Sequence, residues 1–328
     1  MKHASKLIRQ HILSLLSDGA FHSGEAIATE VGLSRTAVAG HISQLSEWGL
    51  DVFKVKGKGY RLERPFELLN TERIKKQLTK SRTAVIQVES VLASTNTELK
   101  KRISVAPHNL ADGDVLLAEI QTAGKGRHGR SWLAPVGGSL TLSLYWSFPD
   151  GYQSMAGLSL LVGLAVCNGL KKCGVADTQL KWPNDVYLQN KKLAGILIEV
   201  EGQIGATAHC VIGIGLNVCM PDAQFDVGQP HTDLTSYLGY TPDRNVVAAA
   251  IINSLWELLP EFAQHGFQPF INQWQLLDLY ADKTVVLRMG EKRFSGIDRG
   301  VDASGALLVE TQDGLTRFHG GEVTLRGN

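Results

Sequence analysis

The segment Gly124-Lys125-Gly126-Arg127-His128-Gly129-Arg130-Ser131 constrains this chain of 328 residues more than any other. It matches G-x-G-x-x-G and, with Arg130 in place of Lys, nearly matches G-x-x-x-x-G-K-[ST]. Both patterns need a helix directly behind them, whose N-terminus meets phosphate. Here Trp132-Leu133-Ala134-Pro135-Val136-Gly137-Gly138 follows, and then Leu140, Leu142, Leu144 and Trp146 alternate with Thr141, Ser143, Tyr145 and Ser147. The sequence predicts a loop running into a strand, which excludes the dinucleotide-binding and P-loop readings. What remains is a mobile glycine loop carrying Lys125, Arg127, His128 and Arg130. Such a loop suits a polyanion, or a reaction in which two anions must meet. A solvated surface loop or a nucleic-acid patch would use the same residue types.

Charge supplies the second constraint. The total of +1 argues against a chain that is basic throughout, but residues 1–66 hold nine Lys/Arg against six Asp/Glu, leaving 24 against 26 in the remainder. A head of +3 therefore precedes a body of −2. In the head, Ile8, Ile12, Leu15 and Leu16 mark an amphipathic helix. Ser23 and Ser34 are positioned to cap two further helices, the second with Val38, Ile42 and Leu45 inward. Val52–Lys56, the turn Gly57-Lys58-Gly59 and Tyr60-Arg61-Leu62 read as a hairpin. This is the order of a winged helix-turn-helix, with Glu63–Phe66 as a linker.

From 67 to 277 strands and helices mix. Strands are expected at Ala84–Val88, Val115–Gln121, Leu140–Ser147, Leu180–Trp182, Val186–Gln189, Leu193–Glu201 and Thr207–Cys219, with a turn at Gly202–Gly205. Helices are expected at Met155–Cys173, Val246–Ala263 and Pro269–Leu277. Consecutive hairpins point to a mostly antiparallel sheet with helices on one side, an α+β layout. Residues 278–328 suggest a small β-barrel with four short strands. The four cysteines form no C-x-x-C pair, and the most apolar stretch, Leu158–Leu170, is short for a bilayer. A cytoplasmic protein with no membrane partner is expected, and no metal-ligand cluster is apparent.

Other residues carry chemistry in outline. Lys181-Trp182-Pro183-Asn184-Asp185 ends a strand, and a Lys there needs an anion or a path to solvent. Ser94-Thr95-Asn96-Thr97-Glu98 fits a capping box with Thr95 as N-cap, or hydroxyls offered to a small polar ligand. Gln121 ends the strand leading into the loop. Gly213-Ile214-Gly215-Leu216-Asn217 brings backbone close to a ligand, or lets strands pack closely.

Taken in order, Ser94-Thr95-Asn96, Gln121 with the loop, Lys181–Asp185, Leu193–Glu199 and Gly213-x-Gly-x-Asn217 resemble the biotin protein ligases; with the head, the chain is similar to their bifunctional bacterial form, ligase and biotin operon repressor in one. The resemblance spans the whole chain. It implies an α+β multidomain fold: a winged helix-turn-helix (1–66), a mixed sheet like that of class II aminoacyl-tRNA synthetases (67–277) and an SH3-like β-barrel (278–328). It also implies activation of biotin by Mg-ATP to biotinyl-5′-AMP and transfer to a lysine of the biotin carboxyl carrier protein. Carried over residue by residue, Ser94, Thr95, Asn96, Gln121, Lys125, Gly126, Arg127 and Lys181 would bind biotin. Gly124, Arg127, Arg130, Lys181 and Asn217 would bind ATP and the adenylate, and Lys181 and Arg127 would be catalytic. The family loop most often reads Gly-Arg-Gly-Arg, and Lys125 departs from it, keeping the charge but losing the bidentate geometry. The cover over adenine is expected within Pro221–Leu234, where Phe225 and His231 are the candidates. Ser34, Arg35, Thr36 and Gln44 would read DNA, and Lys56 and Lys58, with Lys54 and Arg61, would contact phosphates. Biotinyl-AMP would favour a homodimer on operator DNA. The rivals are a ligase without a DNA-binding role, a lipoate- or octanoate-type acyl ligase, and a transcription factor whose body only senses a metabolite.

Overall fold

A computed structural model describes residues 2–79, 83–202, 205–220 and 229–325. The head comprises α1 (Lys2–Leu16), α2 (Gly24–Val31), α3 (Arg35–Ser43) and the hairpin β1 (Val52–Val55)–β2 (Gly59–Leu62). Ser23 Oγ accepts from Ala26 N and Ser34 Oγ from Ala37 N, so each serine satisfies an N–H that the first helical turn leaves open. Ile12, Leu16, Ile27, Val38, Ile42, Leu45 and Leu62 are buried together. The linker is held in place, because Phe66 N donates to Ser17 O.

The body follows as α4 (Thr71–Lys76), β3 (Ile86–Leu92), α5 (Thr95–Val105), β4 (Val115–Gln121), β5 (Ser139–Phe148), α6 (Leu158–Lys172), β6 (Thr178–Lys181), β7 (Asp185–Leu188), β8 (Lys191–Glu201), β9 (Ala208–Asn217), α7 (Leu234–Leu238), α8 (Arg244–His265) and α9 (Ile271–Gln275). The expected turn at Gly202–Gly205 lies partly outside the described residues. Seven strands form one sheet in the order β3-β4-β5-β9-β8-β7-β6. Only β3 and β4 run parallel, joined through α5; the other pairs are antiparallel.

The expectation of helices on one side is corrected. Helices α6 and α8 pack with Leu117, Leu142, Leu144 and Ile212 on one face. Helix α5 lies on the other, where Leu99 and Ile103 meet Leu116, Tyr145 and Val211. Strand β4 is apolar at successive positions, so both of its faces need cover. By length and composition alone, α8 and the segment Tyr152–Lys172, which includes α6, are apolar enough to cross a membrane, yet most of each is buried inside the fold.

The tail has five strands, one more than expected: β10 (Thr284–Met289), β11 (Lys292–Val301), β12 (Leu307–Thr311), β13 (Gly314–Phe318) and β14 (Glu322–Leu325). They form an antiparallel sheet in the order β13-β12-β11-β10-β14. The missed strand follows Gly320-Gly321 and holds only four residues, so its alternation was too short to read. Leu180 N donates to Leu277 O and Leu279 N to Leu180 O, which ties the segment before β10 to the strand that ends in Lys181.

The last three residues of β4 face three different neighbours. Glu119 is buried, pairs with buried Arg244 at 2.6 Å and accepts from Leu69 N at 2.8 Å. Ile120 joins the apolar core of the head. Gln121 turns to α5.

Candidate active site

A cleft of about 940 Å³ opens between α5, the glycine segment, the ends of β6–β9 and strand β14. Its walls contain Ser94, Thr95, Asn96, Gln121, Lys125, Gly126, Arg127, Arg130, Lys181 and Asn217, residues drawn from distant parts of the chain. Gly124 stays outside this wall. Its carbonyl accepts from Trp132 N at 2.9 Å, closing the base of the glycine segment.

The capping assignment shifts by one residue. Ser94, with extended backbone, is the N-cap of α5, and Thr95 is already helical. Glu98 binds Arg102 one turn on rather than reaching back to the cap. Freed from capping, Thr95 gives its N–H and its hydroxyl to Gln121 Oε1, at 2.7 and 3.2 Å. Asn96 Nδ2 donates to Leu197 O and Glu199 Oε2, while Ser143 Oγ lies 2.5 Å from Asn96 Oδ1. A Cβ on Gly213 would lie 2.3 Å from that same Oδ1. One on Gly215 would strike the Trp132 indole at 2.3 Å. The glycine repeat of β9 therefore makes room for two side chains of the cleft floor.

The glycine segment, expected as a loop, is pinched into a hairpin. Gly126 N donates to Arg130 O, and Lys125 bridges Ser131. A single 3-10 turn spans Arg127–Gly129, with His128 in left-handed backbone at φ 54. No helix follows before β5, in line with the rejected phosphate-loop readings. Arg127 is half-buried and donates to Asn184 Oδ1 at 2.7 Å. Burial lowers its pKa, and Asp185 and Glu322 oppose that effect. Arg130 is exposed and pairs with Glu322 of β14 at 2.6 Å. Lys125, in the first arm of the hairpin, is exposed.

Lys181 ends β6 and points into the cleft rather than snorkelling from a sheet edge. Burial pushes its pKa down, with Asp185 acting in the opposite sense. Its Nζ donates to Tyr187 Oη at 3.2 Å. Asp185 lies 2.7 Å from Lys192 Nζ instead, an ion pair without hydrogen-bond alignment. Asn217 is buried and donates to Thr232 O, and the backbone of Lys192 pairs with Pro230 and Thr232. These bonds lay residues 229–232, including candidate His231, along the cleft rim. Residues 221–228, with Phe225, lie outside the described residues.

Sequence reasoning missed Tyr187, Asn184, Lys192, Ser143, Tyr280 and Glu322. Tyr187 was within reach: two places from Asp185 on a strand, it shares the face of Lys181 across the β6–β7 register. Glu322 and Tyr280 reach the cleft through tertiary packing, which no local pattern announces. His209 and Cys210 face opposite ways, His209 toward the Tyr145 hydroxyl and Cys210 into the core, so they do not form a joint ligand pair.

In the head, Ser34, Arg35 and Thr36 are exposed at the start of α3, but Gln44 caps its other end. The four candidates therefore form two patches, one at each end of the helix. On the wing, Lys54, Lys58 and Arg61 lie over the rings of Tyr60, Phe21 and Phe21, respectively, at 5.8, 5.7 and 5.0 Å, and Lys56 is exposed in the turn.

Comparison with known proteins places these parts together. The profile described as "Biotin/lipoate A/B protein ligase family" matches residues 88–217, "HTH domain" residues 8–61 and "Biotin protein ligase C terminal domain" residues 281–326. The chain is 44% identical to the bifunctional ligase/repressor BirA of Salmonella typhimurium over 316 residues, covering 96% of each chain. Against the protein of that name from Escherichia coli it is 42% identical over 316 residues, again covering 96% of each. The structure of biotin protein ligase from Aquifex aeolicus in complex with biotin and ATP superposes with a TM-score of 0.64 at 30% identity, covering 74% of this chain and 98% of that one. With a profile match in each third and full-length relatives of this identity, the chain belongs to the biotin protein ligase family, in its bifunctional ligase/repressor form.

Proposed function

We propose that this chain joins biotin to ATP, supplied as Mg-ATP, to form biotinyl-5′-AMP, and passes the biotinyl group to a lysine of the biotin carboxyl carrier protein. The observation that carries this reading is the convergence of Ser94–Asn96, Gln121, the cationic hairpin and Lys181 on one cleft. In the first step a biotin carboxylate oxygen attacks the α-phosphorus, and the bond to pyrophosphate breaks. Two anions must approach, so Lys181 and Arg127 stabilise the charge that gathers on the carboxylate and phosphoryl oxygens. In the second step the carrier amine attacks the acyl carbon, loses a proton and releases AMP. No enzyme nucleophile takes part in either step. Ser94, Thr95 and Gln121, with Asn96 bracing the floor, form the end for the biotin head. Lys125 and Gly126 border it, Arg130 and Asn217 belong to the adenylate end, and Gly124, outside the wall, acts by closing the base of the hairpin.

The same chain represses. With biotinyl-AMP bound it forms a homodimer, and two heads meet operator DNA through Ser34, Arg35, Thr36 and Gln44, with Lys56 and Lys58 on phosphates. The setting is the cytoplasm.

Mass spectrometry of the carrier domain after incubation with biotin and Mg-ATP tests the ligase reading. One biotinyl adduct on one lysine is expected, and labelling by lipoate or octanoate alone overturns the choice of acid. A salt-sensitive gel shift that strengthens with biotinyl-AMP tests the repressor; its absence leaves a ligase without DNA binding.

A further inference from the structure

Lys181 enters the cleft half-buried, and among the described residues its ammonium has no carboxylate partner within ion-pair distance. Its nearest acid, Asp185, is taken by Lys192. Two aromatic residues flank it instead. The ammonium lies 3.2 Å from Tyr187 Oη but 5.2 Å from the centre of that ring, so it approaches the hydroxyl end rather than the face. The ring of Tyr280 lies 5.9 Å from it.

Both aromatic residues are fixed by backbone. Tyr187 stands diagonally across the β6–β7 register, in which Gln179 faces Tyr187 and Lys181 faces Asp185. Tyr280 follows Leu279, whose N–H donates to Leu180 O, and its own N–H donates to Asp278 Oδ1. The residue that immediately precedes Lys181 thus anchors the segment bearing Tyr280.

We infer that Tyr187 and Tyr280 are positioning residues for Lys181, the first through its hydroxyl and the second through its ring. This rests on the ligase reading above. An ammonium has three N–H donors. Tyr187 takes one and leaves two, one for a biotin carboxylate oxygen and one for an α-phosphate oxygen. A carboxylate in the place of Tyr187 would aim the ammonium equally well but would neutralise it. A neutral hydroxyl aims it and leaves its charge for the two anions, and the ring of Tyr280 adds attraction without a competing acceptor.

The test is the pH profile of pyrophosphate release, driven by biotin and Mg-ATP, in wild type, Tyr187→Phe, Tyr280→Phe and Tyr280→Leu. The groups facing Lys181 are Asp185 and Tyr187 of β7, Lys192 of β8, Tyr280, and Glu322 of β14. Loss of the Tyr187 acceptor removes support for the charged ammonium, so the alkaline limb moves to lower pH. The maximal rate falls about tenfold, the scale of one hydrogen bond to a charged group. Tyr280→Leu moves the limb in the same direction, and Tyr280→Phe, which keeps the ring, retains the wild-type profile. A purely structural role would lower the melting temperature or the amplitude without moving the limb. A Tyr187→Phe profile that superposes on wild type overturns the inference. Absence of biotin-dependent pyrophosphate release in the wild type is a separate failure, which overturns the ligase reading itself.

Discussion

Two glycine-flanked cationic hairpins invite comparison: the wing, β1–β2, and the cleft hairpin 124–132. Each carries several cations on a short turn, yet their partners differ in kind. On the wing the cations of Lys54, Lys58 and Arg61 lie over aromatic rings, and among the described residues none of the three makes an ion pair. In the cleft Arg130 meets Glu322, and Arg127 reaches Asn184 with Asp185 close by. A ring braces a cation without cancelling its charge, so the wing presents a standing positive surface to any phosphate backbone. A carboxylate or amide holds a cation until a stronger anion arrives, so the cleft hairpin gains most when its ligand displaces those contacts.

The comparison breaks most directly at Arg127. Arg127→Ala is expected to slow biotin-dependent pyrophosphate release by roughly two orders of magnitude, the usual scale for one donor aimed at developing charge. Operator binding, measured with biotinyl-AMP added to saturation, would weaken far less; equal losses would erase the distinction between the hairpins.

On the wing, the double variant Lys56→Ala/Lys58→Ala should flatten the slope of log K against log salt by about 1 per lysine, with carrier biotinylation unchanged. Gel shifts across a salt series measure this, and an unchanged slope would leave the wing merely solvated. Phe21→Leu removes the ring beneath Lys58 and Arg61 and is expected to cost about 1 kcal/mol in urea unfolding, again sparing the ligase.

The smallest effect belongs to Arg130→Gln. Its pair with Glu322 is exposed, so thermal unfolding should change by less than about 1 kcal/mol and by less still at high salt.

The junction beside the cleft adds a pH test. Asp278 and Asp298 are buried, and burial first, then neighbouring acids, pushes them up to about 7 and about 6. Among the described residues, Asp278 Oδ2 has no hydrogen-bond partner. The folded state thus holds these protons where the unfolded chain, with carboxyls near 3.8, has lost them. Stability from this source is full below about pH 4 and declines as pH rises through about 7. Asp278→Asn, whose amide oxygen can still accept from Tyr280 N, should melt higher than wild type at pH 8 and close to it at pH 5. Parallel pH dependence of the two proteins would argue against the buried charge.

What the sequence made legible is what local chemistry controls. Ser23 and Ser34 announce their helices through their own hydroxyls, and Val115–Gln121 matches β4 as observed. The Trp132–Gly138 stretch forbids a phosphate-loop helix, and none is present. At Ser94-Thr95 two adjacent hydroxyls are equally good caps in isolation; the choice falls to Gln121, which claims Thr95 from the end of β4. The same distinction separates Lys181, marked by its motif, from Tyr280, delivered to it by pairing across about a hundred residues. The parallel β3–β4 pair was hidden for the same reason, since α5 separates two strands that neither turn chemistry nor alternation links.

The end of β4 has a consequence for how one subunit could couple its two activities. Glu119, Ile120 and Gln121 are consecutive, and they are fastened respectively to Arg244 and the backbone of Leu69, to the core of the head and to the ligand-side helix. A strand rises about 3.3 Å per residue, so the three attachments fall within about 7 Å of backbone. Backbone that short, laddered to β3 at Ile120 and Gln121, has little slack to absorb a shift. A displacement of Gln121 would therefore reach Ile120, and with it the core of the DNA-reading domain, through a single peptide link.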